Sequence, residues 1–127
     1  MAGGPRIVLW LGGLGFIGFG AAFLVAPLQT MAMIGIPLQG TLAATELRAF
    51  YGGLELALGL LLLRAALKPA LWSEGLLVSL AAYGGIGGAR LLGIALAGSA
   101  TPFLWFATAI ELGLALMSWW VRWRLPD

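Results

Sequence analysis

From Ile7 to Thr45 the chain carries no charged residue. The part of this run from Ile7 to Ala26 is long enough to cross a hydrocarbon core of about 30 Å at about 1.5 Å per helical residue. Only 9% of all residues are charged and 61% are hydrophobic, whereas a soluble domain is about 25% charged. Too few charges remain to cover a surface that faces water, so we expect the lipid bilayer to be the solvent.

Four apolar stretches are long enough to span a membrane, at about 7–26, 41–66, 71–97 and 102–123. Pro37, Pro69 and Pro102 mark the breaks between them, and Pro102 is typical of a first helical turn. The pattern predicts an all-α integral membrane protein, a four-transmembrane-helix bundle that forms one membrane domain over 1–127. The small residues at 20–22 resemble a signal-peptide cleavage site, but we expect the first span to be retained.

The basic residues at or near the span ends all belong to one side of the predicted membrane, with five on that side and none in segments 27–41 and 98–101. By the positive-inside rule, this places both termini in the cytoplasm and the two uncharged connections outside. The apolar segment 28–35 is too short to cross and is predicted to lie along the outer interface. The five basic residues are Arg6, Arg64, Lys68, Arg122 and Arg124.

The chain has no cysteine and no histidine, which excludes disulfides, thiolate nucleophiles and the usual zinc and haem sites. The basic residues are dispersed, so no nucleic-acid partner is predicted. Residues 13–18 match G-x-G-x-x-G, but they follow no strand, and nucleotide binding is not expected. No metal, no cofactor and no catalytic residue is predicted, although a lipid or quinone remains open as a ligand.

The chain contains 20 glycines. Small residues let membrane helices approach closely where no hydrophobic effect drives them together. We expect seven of these glycines to mediate helix packing: Gly12, Gly15, Gly18, Gly52, Gly59, Gly84 and Gly88.

The most informative ionisable residues lie well inside the predicted spans, away from the span ends: Arg48, Glu55, Arg90 and Glu111. Each would cost roughly 2.5–3.5 kcal/mol or more if left unpaired in lipid. The predicted topology places both glutamates near the midplane and both arginines about 9 Å toward the outside. Arg48 and Glu55 are seven residues apart and should share a helical face. These positions predict a buried Arg/Glu network in the outer half of the membrane.

Three further side chains belong to the candidate site. Tyr51 and Tyr83 lie near the charged residues, and Glu46 lies on the other side of its helix from Arg48, nearer the outer interface. The network has three readings: a purely structural pairing that fixes helix register, a ligand-binding or transport site, and an acid/base centre. Nothing in the spacing identifies a reaction. The full candidate set is Glu46, Arg48, Tyr51, Glu55, Tyr83, Arg90 and Glu111.

The segment from Glu46 to Gly59, ELRAFYGGLELALG, resembles a family of small four-helix bacterial membrane proteins catalogued as a domain of unknown function. That family is similar to the DoxX-like group, whose members resemble subunits that accompany quinone-linked oxidoreductases. The resemblance covers most of the chain and implies a fold and a location in the bacterial inner membrane rather than an activity. The residues it implies as important are Glu46, Arg48, Tyr51, Gly52, Arg90 and Glu111.

Two functions follow from these observations. The first is a small membrane protein whose Arg/Glu cluster supports an outward-facing cavity that binds or moves a lipid-like or small polar molecule. The second is a non-catalytic accessory or scaffold subunit of a larger, quinone-linked membrane complex. Membrane lipids are expected partners, and small-residue faces favour a homo-oligomer. Small multidrug exporters have similar length but carry their glutamate in the first helix, which is uncharged here from Ile7 onward.

Overall fold

A computed structural model describes residues 3–126, and this part of the chain contains helices and no strand. The helices are α1 (Gly3–Val25), α2 (Pro27–Met33), α3 (Thr41–Leu67), α4 (Trp72–Ala97, after a 3₁₀ turn at Pro69–Leu71) and α5 (Pro102–Trp123). All but α2 are long and apolar enough to cross a membrane, with the 3₁₀ turn included in the third span. By length and composition the chain is therefore a multi-pass membrane protein.

Proline and glycine define the ends of the helices. Pro102 occupies the first turn of α5, and the hydroxyl of Thr101 caps this helix by accepting a hydrogen bond of 3.3 Å from the Leu104 N–H. At the end of α4, Gly98 adopts φ = 73°, a left-handed conformation that a residue with a side chain rarely takes. Local sequence alone therefore accounts for the short turn between α4 and α5.

Helix α3 contains a π-helical segment at Arg48–Leu54, between α-helical parts at Thr41–Leu47 and Glu55–Leu67. Hydrogen bonds in a π-helix run from i to i+5, so each residue turns the chain by less than in an α-helix. Seven residues therefore no longer bring the chain back to the same face. For this reason Arg48 and Glu55 do not share the face that α-helical spacing predicts.

Helices α1 and α3 pack along a seam of four glycines. A Cβ on Gly59 would lie 2.7 Å from the carbonyl oxygen of Gly13, and a Cβ on Gly20 would lie 2.9 Å from that of Gly52. Both distances are too short for a real contact, so only glycine allows the two backbones to approach this closely. Gly52 and Gly59 thus pack as predicted, whereas Gly13 and Gly20 were not anticipated.

The other predicted packing glycines have different environments. Gly12 and Gly15 face the ring and hydroxyl of Tyr83, and a Cβ on Gly84 would make ordinary contact with Ala115 at 3.7 Å. The prediction is wrong for Gly18 and Gly88, because a Cβ at either position would meet nothing within 4 Å. The literal G-x-x-x-G step of α4 is therefore not its packing face.

Helices α4 and α5 pack most closely at Gly87. A Cβ there would lie 3.0 Å from the Cβ of Glu111. Farther toward the α5 C-terminus, the hydroxyls of Ser79 and Ser118 form a buried hydrogen bond of 2.9 Å. These two contacts fix the register of the two helices around the charged residues.

Two apolar clusters hold the helices together. The larger joins α1, α3, α4 and α5 through buried residues that include Leu9, Leu62 and Leu76. The smaller consists of Phe23, Met31 and Leu47. Because Met31 belongs to α2, this cluster anchors the short helix to α1 and α3. The segment 28–35 was expected only to lie along the outer interface.

Candidate functional site

Arg90 of α4 and Glu111 of α5 form a two-pronged ion pair. The Arg90 Nε donates to Glu111 Oε2 at 3.0 Å, and its Nη2 donates to Oε1 at 2.9 Å. Paired parallel hydrogen bonds of this kind are the strongest geometry available to arginine and a carboxylate. Gly87, one turn before Arg90, lets α5 come close enough for the two side chains to meet.

Glu55 of α3 lies at the same site but is not bonded in this way. Its Oε2 atom is buried and has no hydrogen-bond partner among the described residues. Tyr83 of α4, also buried, donates its hydroxyl proton to the carbonyl of Gly12 in α1 and stacks on Phe16 at a ring distance of 4.3 Å. We call Glu55, Tyr83, Arg90 and Glu111 the polar floor.

The polar floor borders a pocket of about 550 Å³. Its long walls are the second half of α1 and the first half of α5, and residues just after α2 border one end. Most of the lining is apolar and much of it is aromatic. The aromatic lining residues other than Tyr83 are Phe16, Phe19, Phe23, Tyr51, Phe103 and Phe106.

The position of the pocket follows from how α1 and α5 pack. Near the start of α1, the chain at Gly4 lies against Val121 of α5. Farther along α1 the pocket separates the two helices. Phe19 and Phe106 at its edges are 47% and 66% exposed, so the pocket opens sideways between two membrane-spanning helices.

Two residues of the predicted candidate site, Arg48 and Glu46, lie away from the pocket. Arg48 is exposed, and its Nε donates to the carbonyl of Leu24 at 3.0 Å. Leu24 belongs to the last turn of α1, where backbone carbonyls lack helical partners. Arg48 therefore completes the end of α1 and does not pair with a glutamate, because the π-helical segment turns it away from Glu55. Glu46 is exposed and does not line the pocket.

The charged cluster is also less buried than predicted. The side chains of Arg90 and Glu111 are 27% and 13% exposed. The polar side chains that are buried within residues 3–126 are all uncharged: Ser79, Thr108 and Ser118. The pair is only half-buried because it forms part of a pocket wall, where one side is not covered by a helix.

Of the seven predicted site residues, five line the pocket: Tyr51, Glu55, Tyr83, Arg90 and Glu111. The aromatic walls were not anticipated, because phenylalanine in a membrane span is unremarkable by composition. The sequence signal that could have found them is the spacing of Phe16, Phe19 and Phe23, which places three rings on one side of α1. No group of three or more potential metal ligands occurs among the residues described.

Comparison with known proteins places the chain in a family without assigning it an activity. No curated protein and no solved structure matches it. The model of one family, described as "Domain of unknown function (DUF4345)", matches residues 5–122, which is nearly the whole chain. The chain therefore belongs to the DUF4345 family of proteins of unknown function.

Proposed function

We propose that this protein binds a lipid-like amphiphile in the pocket between α1 and α5. The observation that carries the proposal is the combination of aromatic walls with a polar floor in one pocket of about 550 Å³. A volume of this order is typical of small-molecule sites, which are mostly apolar with a few polar groups that orient the ligand. The hydrocarbon part would lie between the phenylalanine rings, and the polar head would reach the floor.

Because the pocket opens sideways, we favour an amphiphile over a water-soluble molecule as its ligand. The pocket edge is formed by exposed apolar side chains such as Phe19 and Phe106. In a membrane, exposed apolar residues of this kind face lipid, so a molecule already dissolved in the bilayer would enter without crossing water.

We further propose that the pocket faces the outside of the bacterial inner membrane, with both termini in the cytoplasm. The support is the charge distribution, because the five basic residues near the span ends lie at the opposite ends of the helices from Gly35 and Thr101, which line the pocket. The chain has no cysteine, so single variants such as Ser99→Cys and Lys68→Cys can be labelled selectively. A membrane-impermeant maleimide added to spheroplasts should label Ser99→Cys alone, and labelling of Lys68→Cys alone would reverse the orientation.

The binding proposal is tested by filling the pocket. Ala107 of α5 lines the pocket, whereas Ala109 is exposed on the same helix and does not line it. Ala107→Phe places a ring in the cavity, and Ala109→Phe adds the same ring to the lipid-facing surface. Native mass spectrometry of each protein, extracted from its own membrane into nanodiscs, measures the molecules that remain bound.

We expect the parent protein and Ala109→Phe to retain the same small molecule and Ala107→Phe to lose it. Equal retention by all three proteins would contradict the proposal. A stoichiometric second polypeptide with no bound small molecule would also contradict it, and would favour an accessory subunit of a larger complex, which the resemblance to the DoxX-like group suggests.

A further inference from the structure

We propose that the ligand of this pocket is a lipophilic organic cation, a molecule with an apolar body and a positively charged centre. The inference rests on the proposed function and specifies its ligand class. It depends on which polar groups of the pocket are not already hydrogen-bonded within the protein and can therefore interact with a ligand.

Three of the four residues of the polar floor are already bonded to protein. Arg90 and Glu111 bind each other through two hydrogen bonds of 3.0 and 2.9 Å. The hydroxyl proton of Tyr83 is donated to the carbonyl of Gly12. The arginine charge is therefore neutralised by its partner, and an anionic head that bound the remaining guanidinium N–H groups would lie close to the carboxylate of Glu111.

Glu55 is the group that remains. Its buried Oε2 has no hydrogen-bond partner among residues 3–126, and a buried polar atom without a partner is costly. The formal charges of Glu55, Arg90 and Glu111 sum to −1. A positively charged ligand beside this carboxylate would balance the charge, whereas an anion would add to it.

The walls favour the same kind of ligand. Rings of phenylalanine and tyrosine attract cations through their electron-rich faces, within about 6 Å of the ring centroid. Phe16 and Phe23 are buried and contribute apolar contact. The lining residues with more accessible rings, which would supply these faces, are Phe19, Tyr51, Phe103 and Phe106. A carboxylate next to aromatic walls is complementary to a lipophilic cation in both charge and shape.

The test uses two ions of nearly equal shape and opposite charge, tetraphenylphosphonium and tetraphenylborate. Binding of each is measured separately by equilibrium dialysis against the protein in phosphatidylcholine nanodiscs, with binding to empty nanodiscs subtracted. The proteins are the parent and its Glu55→Gln, Glu55→Asp, Glu46→Gln and Ala107→Phe variants. Glu46 is the matched control because it is exposed, belongs to the same helix and does not line the pocket.

We expect specific binding of the cation and none of the anion. Glu55→Gln, which keeps the size of the side chain, should raise the dissociation constant of the cation at least about tenfold, the effect of about 1.4 kcal/mol. Glu46→Gln should change it less than about twofold. Glu55→Asp keeps the charge and should retain most of the preference for the cation, which separates a charge effect from misfolding.

Two other results would overturn the inference in distinguishable ways. If tetraphenylborate binds as well as the cation, or Glu55→Gln has no effect, while Ala107→Phe abolishes binding, the pocket is a ligand site that does not select cations. If Ala107→Phe changes the binding of neither ion, the proposed function fails together with the ligand class.

Discussion

The ion pair between Arg90 and Glu111 yields a quantitative prediction about stability. Arg90→Met would leave the Glu111 carboxylate without either of its two donors. Glu111→Leu would leave the guanidinium unpaired. The double variant replaces both charged side chains with apolar ones, so neither member of the pair is left without its partner.

The expected magnitude follows from the exposure of the pair. Breaking a fully buried ion pair by removing one partner costs about 3–5 kcal/mol, whereas exposed pairs contribute about 0–1 kcal/mol. With side chains 27% and 13% exposed, each single variant should lose about 2–3 kcal/mol of unfolding free energy. The double variant should lose far less than the sum, because replacing both partners by apolar residues is often nearly neutral.

Unfolding free energies of the four proteins, measured by SDS titration in bicelles, form a double-mutant cycle. We expect a coupling energy of at least about 3 kcal/mol, which corresponds to at least roughly a 150-fold change in an equilibrium constant. A coupling energy below about 0.5 kcal/mol would mean that the two side chains are solvated separately in the membrane-embedded protein, and would refute the reasoning.

Three further predictions concern packing and helix ends. Gly59→Val should destabilise the protein by about 1–3 kcal/mol because its side chain would meet the Gly13 carbonyl of α1, while Gly113→Val, with open space around it, should change the unfolding free energy by less than about 0.5 kcal/mol. Tyr83→Phe should lose about 0.5–1 kcal/mol in the same titration, since it removes one hydrogen bond to α1. Arg48→Met should speed amide exchange in the last turn of α1, where Arg48 bonds a carbonyl, and unchanged exchange there would contradict this role.

The membrane-spanning helices could be predicted from sequence because their signal is long and local. Each span is an apolar run bounded by proline or glycine, as at Gly98 and Pro102, and the bilayer sets the required length. The ion pair of Arg90 and Glu111 could also be anticipated, since charges at similar depth in lipid need partners. Both inferences depend on the free-energy cost of placing polar groups in hydrocarbon. This cost is large, and it applies however the helices are arranged.

The register within α3 could not be predicted in the same way. The hydrophobic periodicity of the sequence does not reveal a π-helical segment. Residues before Glu55 therefore point to a different side of the helix from the one that α-helical spacing predicts. The expected pairing of Arg48 with Glu55 fails for this reason. The shape of the pocket could not be predicted from the sequence either. It depends on how α1 and α5 diverge rather than on the residues of either helix alone.

The glycines show the same limit. Spacing alone selected Gly84 and Gly88, but the close contact of α4 with α5 occurs at Gly87. A glycine is required only where a second backbone approaches, and the partner helix decides that position. The glycine content therefore predicted correctly that helices pack closely, but the spacing identified only some of the glycines at the contacts.

The central claim is that an amphiphilic cation occupies the pocket between α1 and α5, and photolabelling tests it most directly. Dodecylamine with a diazirine at the chain end, irradiated with the protein in nanodiscs, marks the residues that it contacts. We expect labelled peptides from Phe16–Phe23 of α1 and Phe103–Leu114 of α5, with labelling suppressed in Ala107→Phe and unchanged in Ala109→Phe. Even labelling along all lipid-facing helices, including Trp119–Trp123, with no difference between the two variants would contradict the claim.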